Sequence, residues 1–310
     1  MLDPQAKALL DMMIERGVPP THLLTPEQAR RFYVERRAVT QPPPRPLALV
    51  QDLVAPGPLG DIALRLYRPA DLTSPAPTLV YFHGGGWVIG DLDTHDSLCR
   101  DLADAGRCVV VAVDYRMGPE HRFPAAGQDV LAATRWLQAQ AAELGLDPQR
   151  FAVGGDSAGG NLAAALALTW RDAGEPVPLK FQLLIYPATD MRGMAPSHTS
   201  NGQGYLLTAD TIAYFQSHYL DPAQQTDWRA SPLLHGNLAG LPPALVLTAG
   251  FDPLRDEGRQ YADALSAAGS VAQYVCFERQ IHGFITMGRV IDEANIAVGL
   301  CGVALQRALA

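Results

Sequence analysis

Short apolar runs alternate with helix-forming stretches along most of this 310-residue chain, and that alternation limits the folds open to it. The apolar runs are rich in β-branched residues, as expected for strands buried on both faces of a parallel sheet. We therefore predict an α/β fold, a mainly parallel sheet flanked by helices. The predicted strands are residues 62–67, 78–82, 109–113, 151–153, 181–185, 244–248 and 271–277. The predicted helices are residues 95–105, 127–142, 158–171 and 289–308.

The domain organisation follows from two interruptions of this rhythm. Residues 1–45 read as a helical arm that ends in a proline-rich stretch, and residues 46–310 read as the main domain. The interval between strands 181–185 and 244–248 is far longer than a plain crossover requires. We interpret its part from about 190 to 228 as an insertion that forms a lid.

Charge and apolar content exclude several classes of protein. The formal net charge is −8 and no basic run is present, so we do not expect nucleic acid as a partner. No uncharged apolar run approaches the roughly 18 residues of a membrane span. Four cysteines without a C-x-x-C pair, and an N-terminus that does not resemble a signal peptide, predict a cytoplasmic protein with reduced thiols.

The strongest motif is GDSAG at residues 155–159, which matches the pattern G-x-S-x-G. It follows the predicted strand 151–153 and begins the predicted helix 158–171. A sharp strand-to-helix turn exposes the hydroxyl of Ser157, and the small neighbouring residues allow the turn to close. The amino end of the helix then directs backbone N–H groups toward negative charge beside the serine. This context favours a serine nucleophile over a glycine-rich turn that binds nothing.

A second motif, HGGGW at residues 83–87, directly follows strand 78–82. Consecutive glycines let the backbone bend so that free N–H groups can stabilise the oxyanion of a tetrahedral intermediate. Nucleotide binding is not supported, because neither a G-x-G-x-x-G nor a G-x-x-x-x-G-K-[ST] pattern is present. His83 is expected to shape the loop by hydrogen bonding rather than to act as a base.

A nucleophilic serine requires a base and an acid that orients the base. In serine hydrolases of this architecture the chain order is serine, acid, histidine, and only His282 follows the last predicted strand. Asp252 is the first carboxylate after strand 244–248, with Asp256 as the second choice. The competing interpretation of Asp252 is a helix N-cap before Pro253.

Two other polar groups have structural interpretations. Asp91, Asp93 and His95 resemble metal ligands, but no second cluster supports a metal site, so we expect them to cap the helix near residue 95. Residues 114–116 are expected to end a strand and to bury an ion pair.

Together these motifs resemble the bacterial hormone-sensitive-lipase-like esterases (family IV), a branch of the α/β-hydrolase superfamily. The resemblance rests on residues 83–87, 155–161, 252–258 and 282–284, with similar segments at 114–126 and 184–187, and it extends over about residues 48–310. Met117-Gly118 departs from the usual Leu-Ala. The resemblance implies an eight-stranded α/β-hydrolase fold with a helical cap formed by the arm and the insertion.

The same resemblance implies hydrolysis of short- to medium-chain carboxylic esters by water, without a cofactor or metal. It implies Ser157 as nucleophile, His282 as base and Asp252 as acid. The oxyanion donors would be the N–H of Ala158 and two of Gly84, Gly85 and Gly86. A cap that excludes water and limits chain length favours a small-ester hydrolase over a long-chain lipase. Candidate pocket residues are Trp87, Tyr186, Leu206, Leu207, Phe215, Phe284 and Ile285.

The same residues are compatible with two other functions and with a homodimer. An amidase or peptidase could use the same triad, and matched ester and anilide substrates would separate these activities. A non-catalytic small-molecule receptor on the same scaffold is a further alternative, which the presence of His282 disfavours. If residues 271–277 form a sheet edge, two copies could pair there as a homodimer.

Overall fold

A computed structural model describes all residues from Met1 to Ala310. Its centre is one eight-stranded sheet in the order β1-β2-β4-β3-β5-β6-β7-β8, parallel from β4 to β8 and antiparallel at β1 and β2. This confirms the predicted mainly parallel α/β fold. The strands are β1 Leu49–Gly57, β2 Gly60–Arg68, β3 Ala76–Phe82, β4 Val109–Asp114, β5 Leu146–Asp156, β6 Phe181–Ile185, β7 Ala244–Phe251 and β8 Ala272–Ile281.

Helices cover both faces of the sheet. Helices α4, α5 and α8 bury residues such as Val130, Leu162 and Tyr261 in the core on one face, and α3 and α9 bury residues such as Leu102 and Leu305 in the core on the other. The helices are α1 Pro4–Glu15, α2 Pro26–Thr40, α3 Asp96–Gly106, α4 Ala125–Ala139, α5 Ala158–Asp172, α6 Ser197–Ser200, α7 Ala209–Tyr219, α8 Arg255–Ala267 and α9 Asp292–Ala308. No helix combines the length and apolar character that a membrane span requires.

The central strands are apolar because both of their faces are buried. Every residue of β3 is buried, with Val80 and Phe82 in one core and Leu79 and Tyr81 in the other. This alternation is the two-residue period of a strand. Each apolar residue therefore packs against helices on one face or the other.

The candidate site residues follow directly after the ends of parallel strands. Ser157 follows β5, Asp252 follows β7 and His282 follows β8, while the motif at residues 83–87 follows β3. The carboxyl ends of parallel strands lie along one edge of the sheet, where ligands bind in open α/β folds. The topology thus brings four segments that are distant in sequence to one edge.

Two segments outside the sheet lie over this edge. The arm supplies α1 and α2, and the stretch between β6 and β7 supplies α6 and α7. His22 of the arm approaches Thr211 of α7, with 3.4 Å between Nδ1 and Oγ1. Helix α1 also packs on the main domain, because Ala6 and Leu9 join the same core as α9. The division at residues 45/46 and the insertion bounds of 190–228 stay predictions.

The expected cap at the start of α3 is wrong. The helix begins at Asp96, and no side chain hydrogen-bonds to its first N–H groups. Asp91 instead accepts a hydrogen bond from the Thr94 N–H, and Asp93 pairs with Arg65. His95 is buried beside Asp156.

Candidate active site

Ser157 lies at the sharp turn between β5 and α5. Its backbone has φ 56° and ψ −116°, a conformation that residues with a side chain rarely adopt. The turn is tight enough that a Cβ on Gly159 would overlap the carbonyl of Phe82. The Ser157 N–H donates to the carbonyl of Ile185 over 2.8 Å, which fixes the turn to the neighbouring strand β6.

The three candidate catalytic side chains form one hydrogen-bonded chain. His282 Nε2 lies 2.9 Å from Ser157 Oγ, and His282 Nδ1 lies 2.7 Å from Asp252 Oδ2. Asp252 is fully buried, and its other oxygen accepts the Leu254 N–H over 2.8 Å. Asp252 therefore hydrogen-bonds to the histidine and also makes the contact with the Leu254 N–H that the N-cap interpretation predicts. The ring of Tyr186 packs on the imidazole, with 4.6 Å between centroids.

Asp256, the second choice for the acid, lies away from the histidine. Its carboxylate accepts the Ser197 N–H over 2.9 Å and pairs with Arg255. Asp256 therefore links α8 to the segment that carries α6.

The glycine loop contains one N–H that is already occupied. Gly84 N–H donates to Asp156 Oδ1 over 2.9 Å, so of the three glycines among which two donors were expected, Gly84 does not offer a free N–H. The N–H groups of Gly85 and Gly86 have no acceptor in the protein. Gly86 has φ 60°, and a Cβ there would overlap the ring of Phe215. Ala158 is the first residue of α5, where N–H groups lack intrahelical partners.

A buried polar cluster supports this loop from behind. Asp156 accepts the Tyr81 hydroxyl over 2.8 Å and faces His95, with 3.2 Å between Oδ1 and Nε2. Burial disfavours the Asp156 carboxylate, but His95 and the donated hydrogen bonds outweigh it and lower the pKa of Asp156 below its usual 3.8. Sequence patterns did not single out Asp156, although it lies inside the GDSAG motif.

His83 belongs to the same cluster. Burial, with His95 nearby, lowers the pKa of His83 to about 4, so its imidazole is neutral near pH 7. Its Nδ1 lies 2.9 Å from the carbonyl oxygen of Gly84. This contact matches the loop-shaping role expected for His83.

A cavity of about 360 Å³ opens beside Ser157 and His282. Four of the predicted pocket residues line it: Trp87, Leu206, Leu207 and Phe215. Tyr186, Phe284 and Ile285 do not, because they are buried in the core beneath His282, and this part of the pocket prediction is wrong. The arm also lines the cavity, with residues that were not among the predicted pocket residues and that include Leu10, Met13, Ile14, Phe32, Tyr33 and Arg36.

The loop that carries Asp252 is tied to the α6 segment. Asn201 Nδ2 donates to the carbonyls of Gly250 and Asp252, each over 3.1 Å, and Ser197 Oγ donates to the carbonyl of Pro253 over 2.6 Å. Asn201 is buried. It was not predicted, because nothing in its local sequence indicates that it contacts a loop some fifty residues away.

Comparison with known proteins identifies the family. A family profile described as α/β-hydrolase fold matches residues 79–286, more than half of the chain. The carboxylic ester hydrolase LipN of Mycobacterium tuberculosis is 43% identical over 92% of this chain and 77% of its own length. The ethyl acetate hydrolase of Pseudomonas putida is 40% identical over 99% of both chains.

A solved structure agrees with this assignment. An ester hydrolase from the metagenome of Lake Arreo, complexed with a derivative of bipyridine phosphonate, superposes with a TM-score of 0.95. It is 42% identical in sequence and the match covers 99% of each chain. The chain belongs to the α/β-hydrolase family, in its bacterial hormone-sensitive-lipase-like branch of serine carboxylesterases.

Proposed function

We propose that Ser157 is the nucleophile of this carboxylesterase, His282 its general base and Asp252 the acid that orients the base. The observation that carries the proposal is the hydrogen-bonded chain from Asp252 through His282 to Ser157, beside a cavity lined by Gly85 and Gly86. The substrates are carboxylic esters with short to medium acyl chains, and the second reactant is water.

The first half of the reaction acylates the serine. His282 Nε2 takes the proton from Ser157 Oγ as that oxygen attacks the ester carbonyl. The Nδ1–H of His282 donates to Asp252, which fixes the tautomer and stabilises the imidazolium. The N–H groups of Gly85, Gly86 and Ala158 stabilise the oxyanion, and loss of one such donor typically costs about 3 kcal/mol.

The second half releases the acid. The tetrahedral intermediate collapses, the ester C–O bond breaks, and His282 gives its proton to the departing alcohol. Water then attacks the acyl-enzyme by the same steps, with His282 accepting its proton and returning it to Ser157. Ester and water are the only reactants consumed in this scheme.

The size of the cavity supports the proposed substrate range. Its volume of about 360 Å³ lies near the lower end of typical small-ligand pockets. The name of the Pseudomonas putida relative, an ethyl acetate hydrolase, also favours small esters.

The test is a panel of nitrophenyl esters with acyl chains from two to sixteen carbons, with and without a serine-directed phosphonate. We expect turnover to be highest at short and medium lengths and to stop when the phosphonate labels the protein. Mass spectrometry should place the label on Ser157, and Ser157→Ala should be inactive and unlabelled. An active Ser157→Ala variant would refute the assignment.

The alternative activities have distinct outcomes. An amidase or peptidase would cleave an anilide at a rate comparable with the matched ester. A receptor would bind esters tightly without turnover, which the hydrogen bond between His282 and Ser157 disfavours.

We also propose a cytoplasmic location and a homodimer formed through β8. The cytoplasmic proposal rests on the four free cysteines. Strand β8 pairs with no strand other than β7, so, apart from the Arg279 carbonyl that accepts the Asp3 N–H, its outer side offers backbone groups to a second copy. Solution mass by light scattering tests the dimer, and a monomer at micromolar concentration would reject it.

A further inference from the structure

Arg36 of α2 is the only arginine or lysine that lines the active-site cavity. No salt bridge joins its guanidinium to a carboxylate, and its side chain interacts instead with the neutral Tyr33. Two other arginines on the same helix are engaged. Arg30 pairs with Glu120, and Arg37 donates to the carbonyl of Asp93.

The acidic residues that line the cavity are already matched. Asp190 pairs with Arg192 over 2.7 Å, Glu257 faces His198 over 2.6 Å, and Asp156 faces His95. Arg36 thus contributes the one permanent charge of the cavity wall without a partner of opposite sign. Burying such a charge under a ligand is unfavourable unless the ligand supplies an anion.

The guanidinium also has a defined position. Its central carbon lies 4.0 Å from the centroid of the Tyr33 ring, a cation–π contact that limits its motion. Tyr33 lines the same cavity and packs near His95, with 6.2 Å between ring centroids. A stacked guanidinium keeps its planar N–H fork free, and this fork matches the two oxygens of a carboxylate.

We propose that Arg36 forms a carboxylate-binding subsite, so that the preferred substrates are esters carrying a second, ionised carboxylate. This inference rests on the proposed function, because it assumes that Ser157 attacks an ester in the same cavity. Two kinds of ester have the required chemistry: monoesters of dicarboxylic acids, with the anion on the acyl side, and esters formed on the hydroxyl of a hydroxy acid, with the anion on the alcohol side.

The experiment compares charged and neutral esters of equal length at pH 7.5. One arm uses monoethyl succinate, glutarate and adipate against ethyl esters of uncharged acids with the same number of heavy atoms. The other arm uses acetate esters of short ω-hydroxy acids against acetates of uncharged alcohols. Acid release in a pH-stat gives kcat/KM for each, and the measured quantity is the charged-to-neutral ratio.

In the wild-type protein we expect this ratio to exceed one in one arm, which identifies the side of the ester that faces Arg36. Arg36→Gln should lower that ratio about tenfold to a hundredfold, chiefly through KM. Arg36→Lys should give an intermediate ratio, because it keeps the charge without the planar fork.

Arg37→Gln is the matched control, since it removes one positive charge from the same helix outside the cavity. It should leave the ratio unchanged. An equal fall in both variants would show a general field effect and overturn the subsite. A wild-type ratio below one in both arms, or no change in Arg36→Gln, would also overturn it. Failure to hydrolyse any ester, charged or neutral, would instead refute the proposed function.

Discussion

The backbone N–H of Gly84 donates to the carboxylate of Asp156, 72 positions away in the chain, over 2.9 Å. This bond joins the glycine loop after β3 to the residue that precedes Ser157. Because Gly84 is held in this way, the next two glycines project their N–H groups without protein acceptors. The HGGGW and GDSAG motifs are therefore held together by this hydrogen bond.

Asp156→Ala should lower kcat by about 10²-fold, because the loop loses its anchor and a displacement of about 1 Å can have that effect. Asp156→Asn should be less affected, since its amide oxygen still accepts from Gly84 and Tyr81. Steady-state kinetics with a nitrophenyl ester, together with near-UV circular dichroism, checks both. Unchanged kcat in a folded Asp156→Ala protein would contradict the anchoring role.

Asn201→Asp should reduce kcat at least about tenfold with little change in KM. The new carboxylate cannot donate to the carbonyl oxygens of Gly250 and Asp252 and would repel them. This repulsion should displace the loop that carries Asp252 away from His282. The rate of phosphonate labelling should fall in parallel. Asn295→Asp is the control, because Asn295 donates to the carbonyl of Gly288 on the surface, and it should behave like the wild type.

Gly86→Ala should lower kcat/KM by about 10²-fold. Its φ of 60° is unfavourable for alanine, and its Cβ would overlap Phe215, so the loop must shift. Adding Phe215→Ala should restore part of the loss by removing the overlap but not the backbone strain. Gly127→Ala, in a helix with open space around the new Cβ, serves as the neutral control. A fully active Gly86→Ala variant would argue against an oxyanion role for this loop.

Asp114→Asn should stabilise the protein at pH 7.5. Burial, with Asp91 and Asp93 nearby, raises the pKa of Asp114 from 3.8 to about 6. The folded state therefore favours the protonated acid, and this stabilisation is lost as pH rises through 6. The full effect is at most about 3 kcal/mol, and partial exposure reduces it to about 1–2 kcal/mol.

Urea unfolding at two pH values tests whether Asp114→Asn stabilises the protein more where the wild-type carboxyl group is ionised. The gain from Asp114→Asn should be largest at pH 7.5 and clearly smaller at pH 4.5, because at pH 4.5 the folded-state acid is still largely protonated and only part of the penalty has developed. Asp52→Asn should not stabilise, because pairing with Arg65 lowers the pKa of Asp52. A gain for Asp114→Asn at pH 4.5 equal to that at pH 7.5 would reject the titration argument.

Strands buried on both faces were predictable because their apolar character is continuous. All seven predicted strands lie largely within observed strands, whereas β1 was missed. Most residues of β1 are partly or fully exposed and it contains Pro56, so its sequence lacks the apolar run that marks a buried strand. Edge strands are defined by their partner rather than by their own composition.

The pocket was harder to predict than the triad, because chain order does not fix the direction of a side chain. Phe284 follows His282 closely yet points into the core, while Phe215 from α7 reaches the cavity. Likewise, the ion pair expected at residues 114–116 forms between Arg116 and Asp129, leaving Asp114 without one. Asn201 contacts a loop far away in sequence, and Arg36 lines a cavity assembled from distant segments, which local patterns do not reveal.

The positive φ of Ser157 has an evolutionary consequence. Any residue with a β-carbon at this turn carries a conformational penalty of roughly 1–3 kcal/mol, and glycine alone escapes it. Replacing the serine by glycine would therefore relieve this penalty and, under the proposed mechanism, remove the nucleophile. Selection for hydrolysis must therefore retain serine at position 157, although glycine would fit the backbone conformation better.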